Sequence, residues 1–173
     1  MILYHGTDIR SAKEIFEKNR INVFRGKKNV DFGPGFYMTD NKDSAINWAN
    51  KKSILRKSIP AILTIDFDHE AAKSYIENFQ DDLRWGRFVI NNRNGLDYID
   101  KMSFKEHNLD RRYHITYGRI ADIDVVSVAE QLMASKESLQ SLTQILNPKY
   151  PMQFVLHTEF STRFVKILNY GRC

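Results

Sequence analysis

The sequence predicts an α+β fold, and three observations carry that expectation. Short runs of alternating apolar residues recur at 61–67, 113–117 and 154–156, and apolar residues at helical spacing separate them. No internal repeat or low-complexity linker breaks the order. With 173 residues, 42% of them hydrophobic, the chain is long enough for one well-buried core and too short for two, so residues 1–173 are expected to form a single domain.

Residues 1–4 read as a strand that ends at His5, Gly6 and Thr7. Residues 11–18 read as a helix, with Ser11 as its cap and Ala12, Ile15 and Phe16 on one face. Gly33, Pro34 and Gly35 frame a stiff turn before a strand over 35–39, which sends Phe36 and Tyr37 to opposite faces. Asn41 or Asp43 then caps a second helix whose Ala45, Trp48 and Ala49 share a side, turning Trp48 toward Tyr37. Pro60 opens a strand over 61–67. The stretch 69–112 is polar, with helical pieces around 75–79 and 85–91, a turn at Asn91-Asn92-Arg93-Asn94-Gly95 and a mobile loop over 101–112. Strand character returns at 113–117. Val125, Val128, Ala129 and Leu132, then Leu139, Leu142, Ile145 and Leu146, are spaced as two helices, stopped at Asn147 and Pro148. Phe154 and Leu156, then Phe164, Ile167 and Leu168, close the chain as two strands around a polar turn at 158–162.

Composition narrows the setting. No stretch reaches the apolar length of a membrane span, and the N-terminal residues lack the basic region and cleavage pattern of a leader, so a soluble protein with no membrane association is expected. The single cysteine, Cys173, excludes an internal disulfide and fits a reducing cytoplasm. His5, His69, His107, His114 and His157 are scattered without ligand spacing, so no metal is expected. Basic charge is concentrated: residues 20–57 hold nine Lys or Arg against three Asp, which favours an anionic ligand or a polyanionic acceptor.

Two motifs point to a recognition site. A His at a strand end followed by Gly can aim its imidazole into a cleft while the missing side chain lets a ligand approach backbone. The run Phe32-Gly33-Pro34-Gly35-Phe36-Tyr37-Met38-Thr39 places one aromatic in the core and lets the other floor the same cleft.

These motifs, followed by Ser44-Ala45-Ile46-Asn47-Trp48-Ala49, resemble the ADP-ribosyltransferases of the diphtheria-toxin and poly(ADP-ribose) polymerase branch, whose signature is His-Tyr-Glu. The chain is similar nearly end to end to bacterial domains of the DUF3990 type, through Trp85-Gly86-Arg87-Phe88-Val89-Ile90-Asn91-Asn92-Arg93, Tyr113-His114-Ile115-Thr116-Tyr117-Gly118-Arg119-Ile120-Ala121-Asp122 and Gln153-Phe154-Val155-Leu156-His157-Thr158-Glu159. The resemblance implies two packed β-sheets with flanking helices and NAD as co-substrate, with ADP-ribose passing to a protein or nucleic-acid acceptor and nicotinamide leaving. By analogy, a toxin held in check by an antitoxin partner is expected. It implies that His5 holds the adenosine ribose, Gly6 the nicotinamide amide through its backbone, and Tyr37 the nicotinamide ring, with Thr7 and Gly35 lining the site. Ser44 would reach the amide oxygen and Trp48 would stack as a second aromatic.

The third signature position carries Gln153, so the pattern is His-Tyr-Gln. Glutamine can hydrogen-bond a ribose hydroxyl but cannot place negative charge beside an oxocarbenium ion. A slower mono-transferase, a site that borrows Glu159 or Asp122, and a non-catalytic NAD- or ADP-ribose-binding module therefore stay open, and Gln153→Glu is expected to raise activity. A basic nucleic-acid-binding domain is the third class. A dinucleotide-binding dehydrogenase is disfavoured by the absence of Gly-x-Gly-x-x-Gly between strand and helix.

Overall fold

The computed structural model describes residues 1–80, 82–121 and 151–173. Seven strands, β1 (Ile2–Asp8), β2 (Phe36–Thr39), β3 (Pro60–Phe67), β4 (Ile76–Phe79), β5 (Ile115–Arg119), β6 (Met152–Leu156) and β7 (Val165–Arg172), form one mixed sheet in the order β4-β5-β6-β2-β1-β3-β7. Only β4 and β5 run parallel among these pairs. Where the resemblance implied two packed sheets, the described strands hydrogen-bond as a single sheet. Its thinnest joint is β1 to β2, recorded at the single pair Tyr4 and Thr39.

Helices cover both faces. Helix α1 (Ile9–Lys18) starts at Asp8, whose carboxylate accepts the N–H groups of Arg10 and Ser11. Asp8 is thus the cap expected of Ser11. The α1 side of the sheet holds the largest core, in which Leu3, Phe36, Leu63, Ile65, Phe67, Phe154 and Leu156 pack with Ala12. The other side is shared by α2 (Lys42–Arg56), capped by Asn41 and packed on β1 and β3 through Ala45, Ala49 and Ile62, and α4 (Asp82–Asn94), packed through Trp85, Phe88 and Val89 on Phe32, Phe79 and Val155. The short helices α3 (His69–Ala72) and α5 (Leu96–Ile99) complete the described α-helices.

Four local expectations change. The strand β1 continues through His5, Gly6 and Thr7 because β3 pairs with it as far as Asp8 opposite Pro60. Residues 76–79 are a strand, not a helix, since β5 supplies a ladder from Ile76 to Phe79. The two closing strands do not pair: β6 lies between β5 and β2, and β7 takes the sheet edge beside β3. Asn91, Asn92 and Arg93 lie inside α4, and segment 101–112 is pinned by the two asparagines. Asn91 Nδ2 donates to the carbonyls of Phe104 and Glu106, and Asn92 Oδ1 accepts the Asn108 N–H at 2.8 Å. The two helices expected across 125–146 lie outside the described residues. Among the described residues, no helix is long and apolar enough to cross a membrane.

Candidate functional site

The short pairing between β1 and β2 organises the site. Continuing the register of Tyr4 and Thr39 by two residues would set Gly6 opposite Tyr37, but no pair is recorded there. On the other edge of β2, Thr39 pairs with Gln153. Alternation along each strand therefore puts Gly6, Tyr37 and Gln153 on one face of three adjacent strands. Residues far apart in sequence meet here as the motifs suggested.

His5 departs from expectation, because alternation turns it to the opposite face, into the core shared with α1. Its ring stacks on Phe36 at 4.1 Å, and Nδ1 lies 2.6 Å from the Tyr37 carbonyl. A carbonyl only accepts, so Nδ1 carries the hydrogen and Nε2 is the acceptor. Burial, helped by the Lys52 cation, lowers its pKa to about 3, which keeps the ring neutral at physiological pH. His5 thus meets Tyr37 through backbone and ties the parting strands together. Thr7 follows on the same face and is buried.

Gly6 is required by packing. A Cβ there would stand 2.0 Å from the Ala45 carbonyl oxygen and 2.9 Å from the Ala49 nitrogen, so helix α2 lies directly on the strand. Ligand access, the reason read from the sequence, is not what excludes a side chain at this position. The Gly6 carbonyl accepts from Lys52 Nζ at 3.0 Å. Burial, with Arg56 adding repulsion, lowers the Lys52 pKa to about 8. Ser44 and Trp48 precede Lys52 at four-residue spacing on the same helical stripe. Ser44 is half-buried, and its N–H caps onto Asn41 Oδ1 at 2.8 Å. Trp48 is 49% exposed, with Lys51 Nζ 5.1 Å from its ring, so it stands at the outer rim instead of facing Tyr37.

The glycine-framed turn is tethered from several sides. Tyr37 Oη donates to the Gly33 carbonyl at 2.7 Å and accepts the Phe32 N–H at 3.0 Å. Burial and the nearby Asp31 carboxylate raise its pKa well above the usual phenol range. Gly33 has φ of 79°, and a Cβ on Gly35 would meet Val155 Cγ1 at 2.6 Å, so Gly35 serves close packing on β6. His157, fully buried and lowered to about 4 by desolvation, donates from Nδ1 to the Pro34 carbonyl and accepts at Nε2 from Thr116 Oγ1.

Gln153 sits in a buried polar network that the sequence did not announce. Its Nε2 lies 3.4 Å from Asp31 Oδ2 and 3.3 Å from the Arg119 carbonyl, both at the long end of hydrogen-bond reach. Asp31 Oδ1 accepts from Arg93 Nη2 at 2.6 Å and Nε at 2.8 Å, and Oδ2 accepts the Ala121 N–H at 3.1 Å. Glu159, one of the acids considered in support, instead pairs with Arg20 on the surface, and Asp122 lies outside the described residues. Among the described residues, no three His, Cys, Asp or Glu side chains gather as a metal site. A shallow depression of about 180 Å³, lined by Ser74, Tyr75, Glu77, Arg112 and His114, lies at β4 and β5, away from the joint of β1 and β2.

These features define an α+β protein whose candidate site lies on the β1, β2 and β6 face of the sheet, beside α2. The profile of the family described as protein of unknown function (DUF3990) matches residues 1–170, and the chain belongs to that family. No curated protein and no solved structure matches the chain.

Proposed function

We infer that the protein is an NAD-dependent mono-ADP-ribosyltransferase, acting on a macromolecular acceptor and releasing nicotinamide. The observation that carries this reading is the convergence of Gly6, Tyr37 and Gln153 on one face of adjacent strands, where β1 and β2 part. With α2 drawn back from Gly6, this joint would offer backbone polar groups to a planar amide, the Tyr37 ring as a wall, and the Gln153 amide to a ribose. Lys52 on α2 places one positive charge beside Gly6, suited to a dinucleotide pyrophosphate, while the neighbouring Arg56 is paired with Asp8.

Chemistry at the nicotinamide ribose bond builds positive charge on the sugar, and an acceptor oxygen from residue 153 would stabilise it as a dipole, more weakly than a carboxylate. A slow transferase is the expected phenotype. A second reading, a binding module without turnover, draws on the same glutamine. The two separate when purified protein is incubated with adenine-labelled NAD and lysate while free nicotinamide and transferred label are followed. Nicotinamide release with labelled acceptor supports the transferase; saturable NAD binding without release supports the module; neither binding nor release removes both.

A further inference from the structure

We propose that Asp31 is a positioning residue that sets the orientation of the Gln153 amide, so that Oε1 is the atom presented to a ribose hydroxyl. The proposal rests on the NAD reading of the site, but its geometric part stands on observed contacts. A glutamine amide has two faces of opposite character, and which one meets a ligand depends on what holds the other. Both recorded partners of Gln153 Nε2, the Asp31 carboxylate and the Arg119 carbonyl, are acceptors only, so they select the NH2 group and turn Oε1 away from themselves. Among the described residues, Nε2 is the Gln153 side-chain atom with hydrogen-bond partners. Asp31 is in turn fixed by Arg93 and by the Ala121 N–H, which leaves it little freedom to turn away.

The pair also explains why glutamine, and not glutamate, suits position 153. A carboxylate there would face the Asp31 carboxylate across about the present 3.4 Å, a like-charge contact in a nearly buried setting. The expectation that Gln153→Glu improves catalysis is therefore reversed for the single substitution. Moving the charge instead, as Asp31→Asn with Gln153→Glu, keeps the net charge. The NH2 group introduced at position 31 can then donate to the carboxylate introduced at position 153, and one oxygen is again left for the ribose.

The test is a double-substitution cycle on the full chain, read by thermal melting at pH 7 and by nicotinamide release. Asp31→Asn is expected to fold with some loss of stability, since its Oδ1 still accepts from Arg93 while the Ala121 N–H loses its acceptor, and to lose about tenfold in kcat as the Gln153 amide orientation becomes mixed. Gln153→Glu is expected to melt lower than wild type at pH 7, and its deficit relative to wild type should close as the pH falls into the carboxylate range. A carboxylate whose folded-state pKa is raised costs stability above its unfolded pKa and none below it. The double variant should melt higher than the sum of the single effects requires and regain nicotinamide release lost by Asp31→Asn. If Gln153→Glu does not fold at pH 7, folding of the double variant is the same rescue. Melting effects that simply add, or a double variant that folds no better than Gln153→Glu, overturn the proposal whatever happens with NAD. Absence of NAD binding by wild type removes the functional reading instead and leaves the melting cycle valid.

Discussion

Replacing Gly6 by alanine asks whether the glycine serves the helix or the ligand. The new methyl would begin 2.0 Å from the Ala45 carbonyl oxygen, against 3.4 Å or more for ordinary contact, so α2 would have to withdraw by about 1.4 Å. The obstacle is helical backbone, which has no rotamer to change. Withdrawal opens the Ala45, Ala49 and Ile62 cluster and stretches the 3.0 Å bond from Lys52 to the Gly6 carbonyl. Overpacking costs about 1–3 kcal/mol, and one lost hydrogen bond adds about 1 kcal/mol, so a loss of about 3 kcal/mol is expected. For a chain of this length that lowers Tm by about 6–12 °C. Calorimetric melting of Gly6→Ala beside Gly171→Ala, which has nothing within 4 Å of the new Cβ, is the assay. A Gly6→Ala melt within about 2 °C of wild type would refute the packing argument and return the glycine to the ligand.

Asn92→Ala should cost about 3 kcal/mol, because it strands the Asn108 N–H and removes a partner from the Asp31 carbonyl in the interior, and it should speed amide exchange across 101–112; exchange unchanged there would show that Asn92 does not hold that segment. Acid should destabilise the fold through His157. Its folded pKa is near 4 against 6.5 unfolded, so the unfolded state takes up the proton first, and stability present above about pH 6.5 is lost as the pH falls toward 4. The full effect is about 3 kcal/mol, and His157→Gln should flatten that limb of the Tm profile; an unchanged slope between pH 6.5 and 4 contradicts it.

Elements with local punctuation were legible in sequence: Pro60 opens β3, Asn41 caps α2, and Pro34 with Gly35 precedes β2. Residues 76–79 misled because Tyr75, Ile76 and Phe79 also fit a helical stripe, while the ladder that makes them a strand comes from Ile115 onward. Trp48 misled for a steric reason. On a helical wheel it accompanies Ala45 and Ala49, yet those alanines approach Gly6 so closely that only small residues fit on the contact line, and the indole is left at the rim. Gly6, Tyr37 and Gln153 could be singled out as candidates because each lies in a short motif. Asp31 and Arg93 escaped because an ion pair joining residues 62 apart leaves no local pattern. Lys52 and His157 were visible as residues, but their burial depends on neighbours that folding brings in.

Amide spectra of the 15N-labelled protein titrated with NAD test the central claim most directly, since they report both binding and its place. The predicted result is saturable shifts at the Gly6 and Tyr37 amides, the Ser44 amide, the Trp48 indole and the Gln153 side-chain NH2. Spectra unchanged at millimolar NAD, or shifts gathered instead around Ser74, Tyr75, Arg112 and His114, would contradict an NAD site between β1 and β2.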